Sequence, residues 1–87
     1  MLAEYIGRVL RAERHKRNWT VDQLLDHWPG DDKPSNNSVG RWERGFLTSF
    51  DGLVQLAAIY RRKVSEIVAE AEALKADLAG VDDPAAA

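Results

Sequence analysis

The 87-residue chain contains no cysteine. Disulfide staples and thiolate zinc sites are therefore excluded, and so small a fold must draw its stability from helix packing or from a partner subunit. A cysteine-free chain suits a reducing cytoplasm, where we expect the protein to reside. Long apolar runs are missing as well. The longest, Leu56 to Tyr60, is separated by Gln55 from Leu53 and Val54, and a spanning helix needs about 20 apolar residues. The N-terminus lacks a signal-peptide pattern, so neither secretion nor a membrane span is expected. Strand-like alternation is also absent beyond a few positions, whereas apolar spacings of three and four recur, which predicts an all-α fold. No strong excess of either charge is present: the net charge is −2, which does not by itself announce a nucleic-acid partner. The distribution is more telling. Residues 1–50 carry eight Lys/Arg against seven Asp/Glu, and residues 51–87 carry four against seven. An anionic partner would meet the N-terminal half, where Arg8, Arg11, Arg14, Lys16 and Arg17 cluster around a single acid, Glu13.

What is present reads as one domain over residues 1–79, with five helices and a tail, 80–87, expected to be disordered. The first helix covers about Ala3 to Arg17, with Ile6, Val9 and Leu10 on its buried stripe. The second opens at Thr20, where Thr20 and Gln23 form a capping box and Trp19 is placed to staple onto Leu24. The run PGDDKP, residues 29–34, is a surface loop. Ser35 caps a third helix that runs to Glu43 or Arg44 and stops at Gly45. Thr48 or Ser49 caps a fourth helix reaching about Tyr60, and Ser65 starts a fifth from Glu66 to about Leu78, ended by Gly80.

Two charged residues fall on buried stripes. Arg14 continues Ile6 and Leu10 at intervals of four, and Glu43 lies four after Val39. An unpaired buried charge is very costly, so either the two meet or Arg14 bends outward to solvent. On the opposite face of the third helix, Asn36, Asn37, Gly40, Arg41 and Arg44 remain outside while Val39 and Trp42 pack inward. Asparagine carries the donor and acceptor pair that reads adenine, and arginine can grip guanine or a phosphate. The bland reading is a capping turn followed by a solvated arginine.

Taken together, the arginine at position 14, the Thr-initiated second helix, the R-W-E-R-G ending of the third, the L-x-x-L-A of the fourth and the V-S-E-I opening the fifth resemble one family. The chain is similar, over about residues 4–69, to the lambda-repressor-like helix-turn-helix domain of the XRE/Cro family. The resemblance implies a second helix lying across the DNA backbone and a third entering the major groove of double-stranded DNA. It places Asn36, Asn37 and Arg41 at base edges, with Ser38 beside them. Thr20 and Ser35 fall where the family contacts phosphates, with Lys33 and Arg44 as further phosphate contacts. Arg14 and Glu43 match the family's buried ion pair.

The chain also departs from that pattern. The segment from Thr20 to Glu43 is about four residues longer than usual, and PGDDKP fills the difference. Asp31 and Asp32 would repel phosphates, partly offset by Lys33. Val21 stands where the family commonly places a glutamine on a phosphate, and Phe46 to Thr48 replace frequent basic residues. Two readings follow: binding that needs a dimer, or a domain redirected to a protein partner. For the dimer, Ile67, Ala71, Leu74 and Leu78 form a narrow seam along the fifth helix, which we expect to join two copies and set two third helices about 34 Å apart on a palindromic operator.

An enzyme is not expected. His15 and His27 are isolated, and no nucleophile, base and orienter set or metal-ligand spacing is visible. No cofactor and no small-molecule ligand is implied. The expectation is a small transcriptional regulator, a repressor occupying its operator. The competitor is a protein-interaction module on the same fold, an antitoxin or accessory protein using Trp28, Trp42 and Phe46 as an adhesive surface.

Overall fold

The computed structural model describes residues 2–47 and 50–82, and the side chains of 2–47 and 50–78. Among these residues it contains five helices and no strand: α1 (Leu2–Lys16), α2 (Val21–Asp26), α3 (Asn36–Glu43), α4 (Phe50–Ile59) and α5 (Val64–Asp82). No helix is long and apolar enough to cross a membrane among the described residues.

Each boundary has a local cause. Glu4 in the first turn of α1 and Arg14, His15 and Lys16 in its last turn suit the helix dipole. Three helices then close in the same way. Asn18, Gly45 and Arg61 take positive φ values of 57°, 100° and 55°. The amide of the next residue reaches back five positions: Trp19 to Arg14, Phe46 to Arg41 and Arg62 to Ala57. This is the Schellman closure, which satisfies carbonyls that a helix end would otherwise leave open. The capping box at α2 forms, with the Gln23 amide donating to Thr20 Oγ1 at 3.2 Å and the Thr20 amide donating to Gln23 Oε1 at 2.8 Å.

Three expectations at element ends change. The Trp19 ring stacks on His27 at 4.2 Å between centroids instead of serving only as a staple on Leu24. α5 begins two residues earlier, at Val64, because Glu66 reaches back to accept from the Lys63 amide at 2.9 Å. At its other end α5 continues through Gly80 to Asp82. A glycine costs a helix only about 1 kcal/mol relative to alanine, so it need not end one. The helix therefore crosses the expected domain boundary at 79, and the rest of the expected tail, 83–87, lies outside the described residues. So do the two candidate caps of α4, Thr48 and Ser49.

The core is one cluster. Leu10, Leu24, Val39, Leu56, Tyr60 and Ile67 are its largest fully buried members, and Ile6, Trp28, Trp42, Leu53, Ala57 and Ala71 complete it. α1 is the hub, packing against α5 along one side and α3 along another, while α2 packs on α3. The approach of α1 to α3 depends on Gly7. A Cβ there would lie 2.5 Å from the Glu43 carbonyl oxygen and 2.6 Å from that of Trp42. Only a residue without a side chain lets α1 touch the backbone at the end of α3.

Candidate nucleic-acid interface

α3 is positioned from below by two apolar residues and one ion pair. Val39 and Trp42 are buried, and Trp42 packs over Gly52 of α4 so closely that a Cβ there would meet the ring at 2.8 Å. Glu43, buried on the same side, receives two hydrogen bonds from Arg14: Nε to Oε2 at 2.8 Å and Nη2 to Oε1 at 2.9 Å. Arg14 Nη1 donates a third to the Trp19 carbonyl at 2.8 Å. The guanidinium thus fastens α1, the turn into α2 and the end of α3 at one point. Its pKa is raised, chiefly by the hydrogen bonds to Glu43 and against the opposing effect of burial. Such a pair is costly to bury and more costly to break from one side.

A second charged cluster surrounds Glu13, which in the sequence stands as a single acid among cations. Its buried carboxylate accepts from Lys16 at 3.1 Å, Arg17 at 2.9 Å and Arg62 at 2.6 Å. Arg62 continues to Glu70 at 2.7 Å, so the network joins α1 to α5. Burial would push the Glu13 carboxyl up, yet the surrounding Arg17, Lys16 and Arg62 hold it below the ordinary carboxylate range. The spacing of Glu13 to Lys16 and Arg17, three and four, was the available signal. Arg17 also donates to the Tyr60 carbonyl at 2.9 Å and lies over the Tyr60 ring at 4.8 Å. Burial raises the pKa of that phenol.

With its inner side so fixed, α3 turns a polar face outward. Asn36, Asn37, Arg41 and Arg44 are exposed, and Gly40 between them is half-buried. Ser35 caps the helix, its Oγ accepting from the Ser38 amide at 3.1 Å and lying 3.0 Å from the Ser38 hydroxyl. The Ser38 side chain is thereby held in the cap and half-buried. Asn36 reaches Asp22 of α2 in a long contact of 3.4 Å. Asn37, Arg41 and Arg44 make no side-chain hydrogen bond or ion pair with any described residue. Thr20, at the start of α2, has its hydroxyl committed to the capping box.

Lys33 stands on the loop, exposed, where it borders a cavity of about 490 Å³ shared with Asp32, Asp51, Trp28 and Trp42. The PGDDKP loop therefore forms a wall over the two indoles. Trp28 and Trp42 are themselves buried, with centroids 6.4 Å apart, so they are core residues and not an adhesive surface. Phe46 does lie outside, 64% exposed, and lines a depression with Ser38, Arg41 and Trp42. Phe50 and Val54 of α4 are exposed as well.

The expected seam on α5 is divided. Ile67 and Ala71 are fully buried in the core of their own chain, so they offer nothing to a second copy. The reason is the packing of α5 along α1, which covers more of the helix than the apolar spacing predicts. Leu74 and Leu78, one and two turns further on, are only half-buried. Among the described residues no group of histidine and carboxylate side chains is placed to hold a metal ion. Compared with protein families, characterised proteins and solved structures, the chain matches none.

Proposed function

We propose that the protein is a sequence-specific DNA-binding regulator of lambda-repressor-like helix-turn-helix architecture, working in the cytoplasm as a repressor that occupies its operator. One observation carries this reading. The outer face of α3 collects two asparagines and two arginines, and three of the four have no partner among the described residues. A surface helix could solvate itself with lysine and glutamate, which favour the helix more strongly than asparagine. Asparagine and arginine are the side chains that pair bidentately with adenine and guanine edges. In this reading Asn36, Asn37 and Arg41 read bases with Ser38 beside them, and Thr20, Lys33, Ser35 and Arg44 hold phosphates.

The regulator acts as a homodimer, with Leu74 and Leu78 as the part of α5 left for a second copy. Two subunits supply the phosphate contacts that one lacks at Val21 and at the acidic loop. It needs no cofactor and catalyses no reaction. A protein-interaction role is the second reading, favoured by the exposed apolar side chains of Phe46, Phe50 and Val54.

Selection from a pool of randomised duplexes tests the first reading. A preferred sequence should emerge, and Arg41→Ala should weaken binding to it by about 1–3 kcal/mol while relaxing the preference at one base pair. A pool that stays random through selection would favour the protein partner.

A further inference from the structure

Resting on the DNA-binding reading, a second element joins the interface. Arg11 of α1 and Arg44 at the end of α3 border one groove of about 320 Å³, with Val21 and Gly40 on its walls and the Arg14–Glu43 pair beneath. The pair at the base neutralises itself through its two hydrogen bonds. The groove's net charge therefore comes from Arg11 and Arg44. Both are exposed, and neither has a carboxylate partner among the described residues. Their neighbours differ in this: Arg8, Arg14, Lys16 and Arg17 of α1 and its end are each paired with an acid. Two guanidinium groups facing one concavity repel each other, and an anion between them turns that repulsion into attraction.

We propose that this groove seats a backbone phosphate of duplex DNA between Arg11 and Arg44, which makes α1 part of the binding surface. Guanidinium forks match the oxygens of a phosphate and hold it in two directions at once. Arg44 already lies back along α3, since a Cβ on Gly40 would come within 3.4 Å of its Nη1. Gly40 thus leaves the strand room to approach. The Val21 side chain, which lines the groove from α2, carries no donor, and Arg11 supplies one from α1. The contact is to the backbone, so it fixes the register of α3 without reading sequence.

The test follows the anisotropy of a labelled random-sequence duplex over a range of salt concentrations, with the full chain, Arg11→Gln and Arg61→Gln. Arg61, after α4 and outside the groove, is exposed and has no acid partner among the described residues, so it controls for lost net charge. Arg11→Gln should bind several-fold more weakly at about 50 mM salt, with the log–log salt slope shallower by about 0.9, and Arg61→Gln should match the parent. A parent that binds with steep salt dependence beside an unaltered Arg11→Gln overturns the phosphate seat and leaves the DNA-binding reading standing. Equal losses in the two variants overturn it as well, because net charge alone then accounts for the effect. A parent that fails to bind removes both.

Discussion

Replacing Gly7 by alanine sets two effects of opposite sign against each other. Helix propensity alone favours alanine by about 1 kcal/mol in the interior of α1. The packing opposes it, because the new methyl would stand 2.5, 2.6 and 2.8 Å from backbone atoms of Glu43 and Trp42. Ordinary carbon contacts begin at about 3.5 Å, so α1 must retreat by about 1 Å from α3. Backbone atoms cannot rotate away, and the retreat pulls on the two Arg14–Glu43 hydrogen bonds two turns along α1. Overpacking of this kind costs about 1–3 kcal/mol, and the absence of any movable side chain puts Gly7 at the upper end. A net loss of about 2 kcal/mol remains, which lowers the melting temperature by about 10 °C in a domain of this size. Gly40→Ala is the companion variant. Its Cβ meets only the end of the Arg44 side chain, so propensity should win and the melting temperature should rise. Thermal unfolding followed by circular dichroism measures both. A Gly7→Ala protein as stable as the parent, or more so, would refute the close docking of α1 on α3.

Glu43→Ala leaves the buried Arg14 guanidinium without its carboxylate and should cost about 3–5 kcal/mol in urea unfolding; a change below about 1 kcal/mol would show that the pair fastens nothing. Glu13 gives a pH signature. Its carboxyl titrates lower in the folded chain than in the unfolded one, so its contribution is complete above the ordinary glutamate pKa of about 4.3 and is lost as pH falls through the folded value. The stability difference between parent and Glu13→Gln should therefore shrink below about pH 4, and a difference that stays constant through the acid range would contradict the network's role.

The helices were legible in the sequence because their signals are local. Thr20 with Gln23, Ser35, and Gly45 each act within a few residues of themselves, and the structure uses all three where the residues predict an end. The division of labour along α5 was not legible. An apolar residue every three or four positions states that a helix has a buried side, but not how far along the helix a neighbour covers it. Ile67 and Ala71 are covered completely, and Leu74 and Leu78 only in part. The charged residues divide in the same way. Arg14 and Glu43 betray themselves by occupying apolar positions, whereas Arg11 looks like any surface arginine until α3 is laid beside it. Gly7 is equally silent, since a glycine inside a helix signals nothing until the backbone it touches is known. The two indoles illustrate the reverse error: tryptophan suggests an interface by type, and the fold puts both in the core.

The central claim is that the outer face of α3 and the groove beside it meet DNA. Titration of the protein into a labelled random-sequence duplex at several salt concentrations measures this most directly. Affinity should fall steeply and log-linearly with salt, the slope counting the phosphates held. No binding at low salt, at concentrations high enough to pair two chains, would contradict it and leave Phe46, Phe50 and Val54 as the surface to explain.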